Sequence, residues 1–365
     1  MLSRKPASIA VIGAGIAGAA CAQALHQAGH AVQVFDKSRG AGGRLATRRF
    51  EWIQENGSEG RARLDHGALG FVARSEVFRA FVQTMQDKGL VAPWQPALAP
   101  DSLALEQDLA LYVVTPEMPL LCKHLLADVP AQWSFALDRL TRDATGWRLH
   151  AGGQVHPDAF DAVVLAIPPA QAAPLLNGLR DDWARFASLV PMQPCWTLMG
   201  VAREEDASAA RESQWSLARP ELGPLAWVIR NDRRPGRAAD PGHAHWVVHA
   251  RAGWSRLNLE QDAGWVKHQL CTALEVFLGH EVRWAHAVVH RWRYALPPLG
   301  RTPAHPLPPA PQHWWDERLG LGVCGDLFTA NGMEGVEGAY LSALALVQAL
   351  HRSAEVDVAA TKDMA

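Results

Sequence analysis

Three glycines stand at the spacing G-x-G-x-x-G, in the run Ala10-Val11-Ile12-Gly13-Ala14-Gly15-Ile16-Ala17-Gly18. That spacing suits a backbone that turns sharply and then approaches a phosphate. Gly13 permits the turn, Gly15 leaves out the side chain that would hold a pyrophosphate away, and Gly18 lets a helix lie close to a strand. A helix starting here, with Ala14, Ile16 and Ala17 between the glycines, presents free N–H groups and its positive dipole end to an anion. Asp36 stands 18 residues beyond Gly18. A carboxylate at that place accepts hydrogen bonds from ribose hydroxyls and disfavours a 2′-phosphate.

A second cluster separates two kinds of dinucleotide. Residues 36–44 read Asp-Lys-Ser-Arg-Gly-Ala-Gly-Gly-Arg. An extended FAD needs a second loop close to its pyrophosphate and ribityl chain. Gly42 and Gly43 allow that approach, and Arg44 offsets the phosphate charge, with Lys37 beside Asp36. A basic surface loop is the plainer alternative. Near the other end, Gly325-Asp326 follows an apolar segment, and Gly335-Val336-Glu337-Gly338-Ala339 opens the last helical pattern. Asp326 would accept from ribityl hydroxyls or water. The helix start at Val336 and Glu337 would face the pyrimidine edge of a flavin. A strand-turn-helix without a ligand is the alternative there.

The elements that must hold these residues are legible in part. Ala7–Ile12 reads as a strand, Ile16 to Ala28 as a helix ended by Gly29, and Ala31–Phe35 as a second strand, which together make a βαβ unit and imply a parallel sheet. Ser75 caps an amphipathic helix running to Asp87, with Val77, Phe78, Phe81, Val82 and Met85 on one face. Trp133 to His150 reads as two strands turning near Thr145-Gly146, and Ala162–Ile167 as a buried strand stopped by Pro168-Pro169. Residues 171–290 have a strand-rich, tryptophan-rich texture interrupted by a helix over about Leu259 to Leu278. Residues 297–311 hold seven prolines and read as a stiff connection, Leu319–Cys324 as a strand, and Gly335 to Leu350 as a closing helix.

The chain has 365 residues, of which 48% are hydrophobic and 20% charged. This is a soluble globular composition, long enough for two domains. The expected fold class is α/β: a Rossmann-type FAD-binding domain with an inserted α+β substrate domain. Residues 1–74, 105–170 and 312–352 are assigned to the former, 75–104 and 171–311 to the latter, and 353–365 to a flexible tail. A net charge of -2 gives no nucleic-acid or membrane surface. An odd count of five cysteines without a C-x-x-C pair points to a reducing compartment, and the cytoplasm is expected.

On these residues the chain resembles the renalase family, its bacterial branch in particular. The resemblance spans most of residues 8–350. It is most specific in Asp36-Lys37-Ser38-Arg39-Gly40-Ala41-Gly42-Gly43-Arg44-Leu45-Ala46-Thr47-Arg48-Arg49. It continues in Leu64-Asp65-His66-Gly67-Ala68, Phe71-Val72-Ala73-Arg74, Trp254-Ser255-Arg256, His290-Arg291-Trp292-Arg293-Tyr294-Ala295, Gly325-Asp326 and Val336-Glu337-Gly338-Ala339. It implies a FAD domain interrupted by a substrate domain, as in p-hydroxybenzoate hydroxylase and the amine oxidases, and a non-covalent FAD. It also implies oxidation of the 2-dihydro and 6-dihydro isomers of NAD(P)H to NAD(P)+, with flavin N5 accepting the hydride and O2 reduced to H2O2. The His66-Gly67-Ala68 loop is implied to lie near the flavin. The family usually continues with Gln and an aromatic residue, where this chain has Leu69-Gly70, so Leu69 becomes a substrate-side candidate.

A dihydropyridine already carries a transferable hydride, so no catalytic acid or base is assigned. Trp292 and Tyr294 are candidates for an aromatic wall against a pyridine ring, or equally for plain core aromatics. Two other enzymatic readings stay open: an amine oxidase, for which Lys267 is the lysine to consider, and a desaturase or isomerase on an apolar substrate. A FAD-binding protein without turnover is a third. His286 and His290 have helical metal-ligand spacing but sit in a strand-like alternation, so no metal is assigned. His243 and His245 read as loop residues, Arg48-Arg49 as solvated, and Asp65-His66 as a structural, flavin-proximal pair.

Overall fold

The computed structural model describes residues 6–53, 57–100, 102–103, 110–204, 215–239, 241–296, 312–328 and 335–362. The chain divides into two compact units. The first comprises Met1–Gly43, Pro119–Pro191 and Pro297–Ala365, and the second Arg44–Met118 and Met192–Leu296.

The first unit is built on a six-stranded sheet. Its spatial order is Trp314–Asp316, Leu321–Val323, Ala162–Leu165, Ser8–Ile12, Ala31–Phe35, Ala131–Gln132. All neighbours are parallel except the Trp314–Asp316 edge strand. Its central strands are short, apolar and covered on both faces, as parallel strands must be. The helix Ile16–Gln27 follows the first strand and buries eight residues, from Ile16 to Leu25. Gly29 ends it at a φ of +90°, a conformation only glycine adopts easily. The expected pair of strands is Leu137–Asp143 and Gly146–Ala151, joined where Asp143 accepts the Thr145 N–H at 2.7 Å. Phe35, Trp147, Leu165 and Leu176 meet in the core.

The second unit centres on a five-stranded antiparallel sheet. Its order is Leu217–Ala218, Leu225–Arg230, His243–Ala250, Gln193–Arg203, Trp284–Leu296. One face packs Trp196, Leu198, Val228, Trp246 and Val248 against Val266, Leu270 and Leu274 of the helix Ala263–Leu278. Two hairpins, Thr47–Ile53 with Glu59–Asp65 and Val91–Trp94 with Leu111–Val114, complete the unit with the helix Glu76–Asp87.

Several expectations need correcting. The long helix begins at Ala263 and not near Leu259, because Asp262 caps it by accepting the Gly264 and Trp265 N–H groups. Ser75 caps its helix as expected, but Val77 lies 55% exposed, off the buried stripe of Phe78, Val82 and Met85. His243 and His245 belong to a strand, continuing the alternation toward His249. The closing helix does not stop near Leu350 but runs on to Lys362, since no glycine or proline interrupts residues 339–362.

The compact units also depart from the assigned domains. Residues 44–74 and 110–118 pack in the second unit, because Asp65 at the end of its hairpin is tied to Arg234 and Arg237. Residues 171–191 pack in the first, where Ala172, Leu175, Leu176 and Trp183 join its core. The proline-rich stretch 297–311 lies outside the described residues. Among the described residues no helix is long and apolar enough to cross a membrane.

Candidate functional site

In the first unit the glycine motifs converge. Gly13 takes a φ of +109°, and a Cβ there would meet the Ala166 carbonyl at 2.5 Å. A Cβ on Gly18 would overlap the Gly13 carbonyl oxygen outright. Both positions are therefore fixed by packing. Gly15 differs: the nearest atom to its Cβ position would be the Gly43 Cα, at 3.9 Å. Gly43 faces back at a φ of +58°, and a Cβ there would lie 3.1 Å from the Gly15 Cα. The Gly42 N–H donates to the Ala14 carbonyl at 2.9 Å and ties the two loops together. Two side-chain-free backbone faces thus oppose each other at the start of a helix that has no side-chain cap and no acid in its first turn.

Asp36 closes the same turn. One carboxylate oxygen accepts the Ala14 N–H and the other the Ser38 N–H, each at 2.7 Å. A carboxylate has about four acceptor sites, so capacity remains for ribose hydroxyls. Lys37 is exposed beside it. Gly325 takes a φ of +126°, close to Ala17. Its N–H donates at 3.0 Å to the Ser342 hydroxyl, which itself donates at 2.6 Å to the Gln312 carbonyl. Ser342 is a positioning residue that sequence reasoning missed, since nothing local marks one serine in a helix as holding a distant glycine turn. Asp326, Val336 and Glu337 are all buried in this unit. The clear backbone faces, the uncapped helix start and the acid fit a dinucleotide of the FAD kind.

In the second unit, the residues 65–69 are stitched to 44–47. The Ala68 N–H donates to the Arg44 carbonyl at 2.8 Å and the His66 N–H to the Ala46 carbonyl at 3.0 Å. A Cβ on Gly67 would overlap the Arg44 carbonyl, so glycine is required there. The Arg44 guanidinium donates to the Ala295 carbonyl at 3.2 Å. His66 lies against Trp292, rings 5.2 Å apart at 28°, and the Trp292 indole N–H donates to the His66 carbonyl at 2.9 Å. His290 meets both rings edge-on, at 5.0 and 4.5 Å. Tyr294, two residues beyond Trp292 on the same strand face, is half-buried.

Strand register adds residues that the sequence does not single out. Thr197 pairs with His249 on one side and His290 on the other, and Cys195 pairs with Trp292. His249, Thr197 and His290 therefore stand side by side, on the sheet face opposite the Trp196–Leu198 core. Burial, with His290, Arg48 and His249 nearby, holds His66 down to about 3. Burial and the Arg234 charge hold His249 down to about 4, and burial also lowers His290. Burial raises the Cys195 thiol to about 11. At neutral pH this face offers uncharged rings and a thiol, with no base poised near neutrality and no thiolate.

The depressed histidines predict acid sensitivity. An unfolded histidine binds its proton below about 6.5, whereas folded His66 and His249 stay neutral to about 3 and 4. Their contribution to stability is complete above the unfolded value and is lost as pH falls toward the folded ones. Between those values each histidine costs on the order of 1.4 kcal/mol per pH unit at most, so a loss of a few kcal/mol in all is expected. Chemical denaturation at pH 7 and pH 4.5 measures it. The double variant His66→Phe with His249→Phe should flatten the dependence, and an unchanged slope would refute the assignment.

Asp65 is bound not to His66 but to three other side chains. It meets Arg234 at 3.0 Å and Arg237 at 2.7 Å, and accepts the Thr47 hydroxyl at 2.5 Å. Arg234 also donates to the Leu69 carbonyl at 2.8 Å. Arg49, read as solvated, pairs with the buried Glu117 at 3.0 Å, as does Arg63. His286 and His290 lie in a strand, as their alternation implied, and among the described residues no three metal-ligating side chains are placed to hold a metal ion.

Residues 11–85 match the NAD(P)-binding Rossmann-like domain family. Across 320 residues, 70% of this chain, there is 29% identity to a bifunctional protein of tRNA 5-methylaminomethyl-2-thiouridine biosynthesis from Magnetococcus marinus; the match spans 46% of that protein's length. Solved structures share the architecture. A putative protoporphyrinogen oxidase from Exiguobacterium sp. 255-15 superposes with a TM-score of 0.69 at 12% identity, covering 96% of this chain and 99% of its own. Cyclohexylamine oxidase from Brevibacterium oxydans gives 0.63 at 13%, covering 96% and 100%. A fatty acid isomerase from P. acnes that produces CLA gives 0.61 at 14%, covering 95% and 99%. The fold is mixed α/β with a Rossmann-like dinucleotide-binding domain, of the flavin amine oxidase-like kind.

Proposed function

We propose that the chain is a FAD-dependent oxidoreductase and, more narrowly, an oxidase of the renalase type that takes a hydride from 2-dihydro and 6-dihydro isomers of NAD(P)H. The Rossmann-like match, the oxidase and isomerase relatives in fold and the glycine cradle support the first part. The observation that carries the second is the uncharged His66–Trp292–His290 face.

Gly13, Gly15, Gly18, Gly42 and Gly43 would give a pyrophosphate access to backbone N–H groups, and Asp36 would accept from the ribose. Gly325, Asp326, Val336 and Glu337 would serve the ribityl and ring end. Bound FAD supplies a two-electron acceptor that O2 can reoxidise. The protein's task is then to hold a planar donor and keep water away. Trp292, fixed by its bond to the His66 carbonyl, and His66 stacked against it at 28° would offer ring faces to a dihydropyridine. Such a donor needs no proton removed, which accords with three histidines held neutral by burial. The lysine considered for amine oxidation, Lys267, is exposed on its helix.

Anaerobic mixing with a borohydride-generated mixture of NADH isomers tests this reading, followed at the flavin band near about 450 nm. The minor isomers should bleach the band quickly and ordinary NADH slowly or not at all. The rate should stay flat between about pH 7 and pH 9, since burial lowers the histidines of the face and raises the Cys195 thiol. No bleaching of FAD-loaded protein would overturn the renalase-type reading and turn the test to amines.

A further inference from the structure

The hairpin of Thr47–Ile53 and Glu59–Asp65 carries four arginines, and three of them have acid partners. Arg49 and Arg63 each pair with Glu117 at 3.0 Å, and Arg61 pairs with Glu59 at 3.0 Å. Arg48 is the exception. It is exposed, and among the described residues no carboxylate pairs with it.

Its place in the second unit is beside the uncharged ring face. Alternation sends Arg48, Phe50 and Trp52 to one side of their strand and Arg49 to the other. The guanidinium carbon of Arg48 lies 5.5 Å from the centre of the Phe50 ring. Phe50 and Trp52 both meet His286, at 5.3 and 5.6 Å. His286 stands on the strand Trp284–Leu296, on the same side as His290 and Trp292. Those two meet His66, at 5.0 and 5.2 Å. One continuous row of rings therefore runs from Trp52 to Trp292, with Arg48 as the unpaired cation along it. The charge is felt there: burial lowers His66, His286 and His290, and the Arg48 charge adds to the effect in each. A guanidinium resting on a ring is already oriented, and its planar fork matches a phosphate. A dihydropyridine ring offers no anion to it. A dihydronicotinamide dinucleotide does, because its pyrophosphate follows one ribose beyond the ring.

We propose that Arg48 binds the pyrophosphate of the donor, so that the site selects a dihydronicotinamide dinucleotide over the corresponding nucleoside. The inference rests on the renalase-type reading and names the residue that would set its substrate class. Arg48 acts on the ligand away from the reacting ring, so it governs affinity and not the hydride step.

Anaerobic flavin bleaching of the FAD-loaded full chain tests it with two donors, the borohydride-generated isomers of NADH and those of reduced nicotinamide riboside. In the wild type the dinucleotide isomers should half-saturate the bleaching at a concentration at least about tenfold below the riboside isomers. Arg48→Gln should raise the dinucleotide value at least about fivefold and move the riboside value less than about twofold. Arg49→Gln, on the other side of the strand with Glu117, should move neither. Rising salt should raise the wild-type dinucleotide value and spare the riboside value, and this decides the matter if Arg48→Gln does not fold. Bleaching by neither donor would overturn the renalase-type reading and this inference with it. Bleaching by both at equal half-saturation, a folded Arg48→Gln with the wild-type dinucleotide value, or a dinucleotide value indifferent to salt would overturn this inference alone.

Discussion

Gly18→Ala is expected to destabilise the first unit by about 2–4 kcal/mol, and Gly15→Asp to leave its stability intact while weakening FAD binding on the order of 100-fold or more. The two glycines belong to one motif, but the structure gives them different work. A Cβ at position 18 would overlap the Gly13 carbonyl oxygen. That oxygen cannot easily retreat, because the Gly13 N–H is bonded to the Phe35 carbonyl at 2.8 Å and the helix behind it is fully packed. A Cβ at position 15 would meet only the Gly43 Cα, at ordinary contact distance. An aspartate there would therefore fold, but it would fill the space between the two loops and set a negative charge where a pyrophosphate is expected. Thermal melting without FAD and flavin retention on gel filtration read the two effects separately. Equal stability of Gly18→Ala and wild type would contradict the packing account. Full FAD retention by Gly15→Asp would contradict the cradle.

The second large effect is expected at Asp65. Its side chain is 1% exposed, that of Arg234 0% and that of Arg237 4%. Asp65→Asn keeps the size and some hydrogen bonding but removes the carboxylate that both buried guanidinium groups pair with, a loss of about 3–5 kcal/mol. Arg49→Gln is the contrast. It removes a pair whose arginine is 64% exposed, and about 1 kcal/mol or less should follow. Denaturant unfolding of both variants against wild type measures the difference. A loss below about 1 kcal/mol in Asp65→Asn would mean that solvent or local rearrangement already compensates the arginines.

Sequence alone determined the part of this protein whose signals are local. The G-x-G-x-x-G run, the strand before it, Gly29 and Asp36 lie within one βαβ unit, and the strand Ala31–Phe35 is found as read. Its glycines announce themselves because a missing Cβ is a backbone requirement that neighbours in the chain impose. Helix caps at Ser75 and Asp262 follow the same logic, although only the first was read. Gly42 and Gly43 read as a second loop approaching the first, and Gly43 does face Gly15.

Tertiary structure decided what depends on partners far away in sequence. Thr197 stands between His249 and His290 through strand pairings that span 52 and 93 residues, and no local pattern encodes that register. Asp65 and His66, adjacent in the chain, point to different partners, one to Arg234 and Arg237 and the other to Trp292. Ser342 supports Gly325 across 17 residues, and the hairpin ending at Asp65 joins the second unit because its ion pairs are there. A side chain's charge state, like its neighbours, is set by burial, which the chain's order alone does not give.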